Sequence, residues 1–191
     1  MPSSSGQSAD FAIGRPNLTS NSTSPTATNL GAFDVFSDGT RLFVADNGFN
    51  RVLIYNTIPA SSGQPADVVL GQPDFTSSTA NNGGLSASSM AGPTSVFFDG
   101  TKLFVTDQLN NRVLVWNAIP TTSGQGANFA LGQPNLNGFA PNNGGISASR
   151  MNIPVDMYVS GTKLFVVDLG NNRVLVWNTI PTASGQAADL V

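Results

Sequence analysis

Leu42-Phe43-Val44 returns as Leu103-Phe104-Val105 and again as Leu164-Phe165-Val166, at a constant step of 61 residues. Asp46, Asp107 and Asp168 keep the same step, and so do Arg51, Arg112 and Arg173. Ser-Gly-Gln recurs around Gly6, Gly63, Gly124 and Gly185, with the first interval shortened to 57. Aligning 64–124 with 125–185 gives 35 identical residues in 61. A chain with such a repeat is constrained to stack similar units, each burying its apolar surface against its neighbours. The approximate repeats are 7–63, 64–124 and 125–185, with 186–191 opening a further outer strand, all within a single region spanning 1–191.

Each repeat reads as four strands. Phe33–Ser37, Ser95–Phe98 and Asp156–Val159 come first, and Asp38-Gly39 and Asp99-Gly100 then signal a short hairpin. Second strands are predicted at Arg41–Ala45, Lys102–Thr106 and Lys163–Val167, and third strands at Val52–Tyr55, Val113–Trp116 and Val174–Trp177. A four-residue loop separates them in each copy, such as Asn47–Asn50. Fourth strands follow at Asp67–Leu70 and Asn128–Leu131. Many of these runs are apolar on both faces, which predicts burial on both faces. The expected fold is therefore all-β, built of four-stranded antiparallel sheets stacked face to face as β-propeller blades. Ser86–Met90 is expected to form one capped helical turn, with Met90 and Met151 packed inward.

The inventory of side chains excludes several chemistries. All eleven acidic residues are Asp, and His and Cys are absent, so no disulfide, thiolate nucleophile, Ser-His-Asp triad or His-ligated zinc is available. The net charge is −3 with eight scattered Lys and Arg, which argues against nucleic-acid binding. No apolar run approaches the roughly 18 residues of a membrane span. Residues 1–14 contain no charged leader followed by an apolar core, so no signal peptide is read in this chain. Low charge combined with abundant Ser, Thr, Asn and Gly suggests an extracellular, periplasmic or cell-surface setting.

The run Gly-Thr-Lys-Leu-Phe-Val, then Asp, then Asn-Asn-Arg-Val-Leu-Val-Trp-Asn, resembles the NHL repeat. Leu-Gly-Gln-Pro with Asn-Asn-Gly-Gly is similar to its long-loop bacterial versions. The likeness covers all three copies, although the first has Asn47-Gly48-Phe49-Asn50 in the loop and Tyr55 where the others have Trp. It implies propeller blades and, for many relatives, a role in interactions. One activity is not implied, because enzymes and scaffolds share the fold.

Four sets of residues are candidates for function. The pairs Asp46/Arg51, Asp107/Arg112 and Asp168/Arg173 face one another across a hairpin. Their presence in every copy assigns them to structure, as buried ion pairs. Asn81–Ser88 and Asn142–Ser149 are glycine-rich segments that could hold an anion or Ca²⁺ but lie in long loops with their own local bonding. Asp34, Ser95 and Asp156 open the first strand of each copy, the innermost strand of a propeller blade, and so border the tunnel mouth. Asp34 and Asp156 are the candidate metal ligands, for Ca²⁺, if further oxygens are supplied by another chain. Phe43, Phe104 and Phe165, with Tyr55, Trp116 and Trp177, are assigned to the core.

The leading expectation is a non-catalytic binding or scaffold module that presents loops around a central tunnel to a protein or glycan partner and requires no cofactor. Its alternative is a Ca²⁺-dependent hydrolase or lyase with the site at the tunnel mouth. Three blades are fewer than a closed propeller uses, so two chains are expected to pair as a homodimer and close a six-bladed ring. Ala9–Gly14 repeats the fourth-strand sequence of Ala66–Gly71, and Ala187–Val191 is a shorter copy of it. The complete copy, Ala9–Gly14, is expected to serve as outer strand where the two chains join.

Overall fold

The computed structural model describes residues 5–21 and 23–191. Its architecture is all-β, three antiparallel sheets in chain order. The first contains β1 (Asp34–Ser37), β2 (Leu42–Asp46), β3 (Arg51–Tyr55) and β4 (Val68–Leu70). The second contains β5 (Pro93–Phe98), β6 (Leu103–Asp107), β7 (Arg112–Trp116) and β8 (Phe129–Leu131). The third has β9 (Pro154–Ser160), β10 (Lys163–Asp168) and β11 (Arg173–Trp177). Strands within each sheet neighbour one another in sequence order, so every connection is a local hairpin.

Strand boundaries shift by a residue in an informative way. The second strand of each sheet ends on its Asp and the third begins on its Arg, so Asp46↔Arg51, Asp107↔Arg112 and Asp168↔Arg173 are register partners. A short 3-10 turn joins each pair, closed by an Asn in the left-handed region: Asn50, Asn111 and Asn172 have φ of 53–54°. Asn tolerates that conformation better than most residues. Asp38-Gly39 lies in a wider, four-residue link, because the Asp38 carboxylate accepts the N–H groups of Thr40 and Arg41 and holds the chain open. In the third sheet the link shortens to Gly161-Thr162. Ser86–Met90 forms no helical turn. The Ser89 hydroxyl instead accepts the Ser86 N–H and braces an irregular turn, while Met90 and Met151 are fully buried.

Faces pack in a fixed order. The first sheet contributes Phe43, Ala45, Val52, Ile54, Val68 and Leu70 to a layer shared with Val96, Leu103, Val105, Leu114 and Trp116 of the second. The second repeats the arrangement, with Phe104, Val113, Val115, Phe129 and Leu131 against Met157, Leu164, Val166, Leu175 and Trp177 of the third. At one end of the stack, Leu42, Val44, Leu53 and Tyr55 are covered by Leu30 and Ile13 from the N-terminal segment. At the other end no sheet among the described residues stacks on the face bearing Phe165, Val167, Val174 and Val176, and Val174 is 45% exposed.

Ala9–Gly14 is not a strand here. A strand needs a ladder partner, and none of the described residues pairs along it. The shorter copy, Ala187–Val191, takes the first outer position of the third sheet through one bridge, Val176↔Leu190. Among the described residues no helix is long and apolar enough to cross a membrane.

Candidate functional site

The lead strands β1, β5 and β9 lie side by side and bring Asp34, Ser95 and Asp156 together. Asp34 Oδ2 accepts the Val96 N–H at 3.1 Å, which ties the first sheet to the second. The Ser95 hydroxyl donates to Asp156 Oδ1 at 2.9 Å, which ties the second to the third, and the same oxygen accepts the Met157 N–H at 2.8 Å. The three candidates differ in exposure. Asp156 is exposed and Asp34 half-buried, whereas Ser95 is 3% exposed, because its strand is the middle one and has a neighbour on each side. Ser95 is thus a buried link between sheets, with the carboxylates flanking it.

Below these groups runs an aromatic series. Phe36 and Phe97 have ring centroids 4.6 Å apart, and Phe97 meets Tyr158 edge-on at 5.5 Å. The carboxylates and rings line an open groove of about 500 Å³ between Asp34, Val35, Phe36, Phe97, Asp156 and Tyr158. A second lobe of about 480 Å³ adds Phe33, Thr94 and Leu169. Two carboxylates line the groove, and among the described residues no group of three or more Asp, His, Cys or Glu gathers.

The Asp/Arg pairs sit elsewhere, at the hairpin ends. Arg51 Nε donates to Asp46 at 2.6 Å, Arg112 to Asp107 at 2.7 Å and Arg173 to Asp168 at 2.7 Å. The other carboxylate oxygen accepts a loop N–H: Gly31 at 2.7 Å, Ala91 at 2.8 Å and Asn152 at 2.7 Å. Each guanidinium then gathers loop carbonyls. Arg51 reaches Phe75, Thr26 and Asn29, and Arg112 reaches Leu136, Ser86 and Ser89. Each pair therefore anchors the long loops to a hairpin. Burial pushes the Asp46 and Asp107 carboxyls above the ordinary value, against the lowering pull of their Arg partners and N–H donors. The first copy replaces the Asn110 amide that braces Asp107 with an aromatic ring: the Arg51 guanidinium lies 5.1 Å from the centroid of Phe49.

Two sets of polar contacts were not foreseen, although Asn81 and Asn142 belong to the segments that the sequence reading assigned to local loop bonding. Gln72 and Gln133, from Leu-Gly-Gln-Pro, are buried, and their amides donate to the Asn50 and Thr79 carbonyls and to those of Asn111 and Ala140. Asn81 and Asn110 exchange reciprocal amide hydrogen bonds, as do Asn142 and Asn171. Recurrence of Gln and Asn in register was the available signal. In-register polar residues within a buried repeat point to loop clamps as readily as to ligand sites.

Tyr55 occupies the place of Trp116 and Trp177. Each indole N–H donates to a carbonyl nine residues on, Gln125 at 3.1 Å and Gln186 at 3.2 Å. The Tyr55 hydroxyl is buried without a partner among the described residues, and burial pushes its pKa up to about 12. No protein-family model matches the chain, and no curated protein is significantly similar to it.

Proposed function

We propose that the chain is an NHL-type β-propeller module without catalytic activity, which presents its lead-strand groove to a protein or glycan partner and closes into a ring with a second copy. The observation that carries this reading is the groove surface. Phe33 is 66% exposed, and Val35 and Tyr158 are each 59% exposed, around Asp34 and Asp156. Large apolar side chains kept in water beside fixed hydrogen-bond acceptors mark recognition surfaces. The rings offer stacking faces to a sugar or an apolar side chain, and the carboxylates accept from hydroxyl, amide or ammonium groups. The buried Asp/Arg pairs, by contrast, commit their oxygens and N–H groups to internal partners. Face-to-face stacking of antiparallel sheets supports the propeller assignment.

The test is to probe glycan and peptide arrays with the labelled chain. A specific signal is expected that Phe33→Ser combined with Tyr158→Ser removes without moving the melting temperature. Calcium discriminates the enzyme reading. Titrating calcium chloride to millimolar levels should leave the melting temperature in place. A saturable rise that vanishes in Asp34→Asn/Asp156→Asn would overturn the proposal in favour of a metal-dependent hydrolase or lyase.

A further inference from the structure

The long loops of the second and third repeats share a frame. Asn81–Met90 and Asn142–Met151 differ in two residues, Leu85 against Ile146 and Ser89 against Arg150. Asn81 and Asn142 have φ of 51° and 48°, and their N–H groups donate to the Met90 and Met151 carbonyls, each at 2.9 Å. The Ala87 carbonyl accepts from Ala127 at 2.8 Å, and the Ala148 carbonyl from Ala188 at 2.9 Å. Ser123 Oγ accepts the Val69 N–H, as Ser184 Oγ accepts that of Ala130.

In the second repeat this frame borders a pocket of about 410 Å³, lined by Pro73, Asn82, Gly83, Ser88, Ser123 and Gly124. All six residues recur at the same step in the third repeat. There the Arg150 side chain lies across the corresponding wall. Its Nε donates to the Asn143 carbonyl at 2.8 Å and its Nη1 to the Ser149 carbonyl at 3.2 Å. Ser149 and Ser184 are half-buried, whereas their counterparts Ser88 and Ser123 are exposed. No described residue donates to the Asn82 or Ser88 carbonyl. Ser89 is too short to do so, and its buried hydroxyl accepts the Ser86 N–H at 2.9 Å instead. The Asn82 amide donates to Gln72 Oε1 at 3.1 Å, so the side-chain donor of that wall is already used. Pro73 is followed by Asp74, where the third repeat has the neutral Asn135. Hydrogen bonds from Thr76 and Ser77 hold the Asp74 carboxyl below its ordinary pKa, so it is charged at neutral pH.

We propose that the pocket of the second repeat binds a guanidinium group, the arginine side chain of a peptide or protein partner, in the place that Arg150 fills from within the third repeat. The third repeat is the internal reference for the bound form: the same walls, in the same frame, with a guanidinium on two carbonyls. A guanidinium only donates, through five N–H groups in a planar fork, and a carbonyl only accepts. Such charge-assisted bonds are stronger than neutral ones. Asp74 adds a negative charge beside the open pocket, where the filled one has Asn135. The site shares no residue with the lead-strand groove and stands independently of it.

The probe is N-acetyl-L-arginine amide, titrated into isotope-labelled chain and followed by the amide signals in NMR spectra. Wild-type protein should give one saturable set of shifts, at Asn82–Gly84 and Ser123-Gly124, in the millimolar range. N-acetyl-L-lysine amide should bind several-fold more weakly, because an ammonium lacks the fork, and N-acetyl-L-norleucine amide should give no shifts. Arg150→Ser should open the second site, so that a further set appears at Asn143–Gly145 and Ser184-Gly185. Ser89→Arg should fill the first site and abolish its set. The proposal is overturned by a wild-type chain without saturable shifts, by an equal response to the norleucine amide, or by shifts that persist in folded Ser89→Arg. A wild-type response with no second set in Arg150→Ser also overturns it. Should Ser89→Arg fail to fold, Arg150→Ser still decides, since it reads a gain of binding.

Discussion

Strands Arg112–Trp116 and Arg173–Trp177 have the same five residues, Arg-Val-Leu-Val-Trp, yet they live in different surroundings. In the middle sheet all five are buried. In the last sheet only Leu175 and Trp177 are, and the other three are half-buried or exposed. Leu and Trp point to the neighbouring sheet in both cases, so that face is satisfied. The two Val point the other way, toward a layer that the middle sheet has and that the last sheet lacks among the described residues, while the Arg shares the Leu and Trp side of the strand. Identical local sequence thus gives identical strand geometry and register, while burial is set by what stacks on top. The comparison also separates two kinds of stability: one intrinsic to the hairpin and its ion pair, the other lent by the next sheet.

The largest expected effect tests the ion pairs. Arg112→Leu leaves the Asp107 carboxylate buried without its cation and should cost about 3–5 kcal/mol in denaturant unfolding. Measured on monomer, Arg173→Leu should cost less, about 1–3 kcal/mol, because its side chain is 13% exposed and it binds fewer carbonyls. Equal losses would mean that the last sheet is covered in solution.

The next effect contrasts the first repeat with the other two through its one substituted ring. Burial pushes the folded Tyr55 hydroxyl up to about 12, against about 10 for an ordinary tyrosine. Between those limits the unfolded chain sheds this proton and the folded chain keeps it. Stability is therefore unaffected below pH 10 and falls as pH rises, by about 1.4 kcal/mol per unit and up to about 3 kcal/mol. Tyr55→Phe should abolish that alkaline loss, read as the difference between the two unfolding curves across pH 9–12. Tyr55→Trp should recreate the indole bond of the later repeats, to the Gln64 carbonyl, and raise stability by about 1 kcal/mol.

Val113→Ala and Val174→Ala set the two identical strands against each other directly. The first should cost about 2 kcal/mol and the second less than half as much when measured on monomer. If raising the protein concentration brings the second value up to the first, the missing layer is another copy. The change at the groove is also small. Asp34→Ala and Asp156→Ala each remove an acceptor from a bond between sheets and should cost about 1 kcal/mol apiece, measured by thermal melting at neutral pH.

Much of this was legible because repeats state the same answer three times. The strand positions, the Asp/Arg pairing and the burial of Phe104 and Trp116 follow from apolar runs at a fixed step. What was not legible depends on single hydrogen bonds. The Asp38 carboxylate widens a hairpin that Asp-Gly alone would make tight, and Ser89 replaces a helical turn with a braced one. Ala9–Gly14 has strand sequence and no strand, because a ladder belongs to two segments. At the groove, sequence register brought Asp34, Ser95 and Asp156 to one place. The burial of Ser95 depended on which lead strand is central, information that no single repeat contains.

The interchangeability of the outer strands also bears on how the chain reaches its fold. Links of four residues between Ser37 and Leu42, and between Asp46 and Arg51, let each three-stranded meander form locally and early. The fourth strand returns only after a longer excursion, from Tyr55 to Val68 or from Trp116 to Phe129. By then several nearly equivalent edges compete for it. During synthesis the competition is muted, since Val68–Leu70 leaves the ribosome before β8 exists and finds its own sheet unopposed. A denatured full-length chain has no such order. Its refolding should pass through species with strands exchanged between sheets, and dilution should improve the yield by suppressing exchange between molecules.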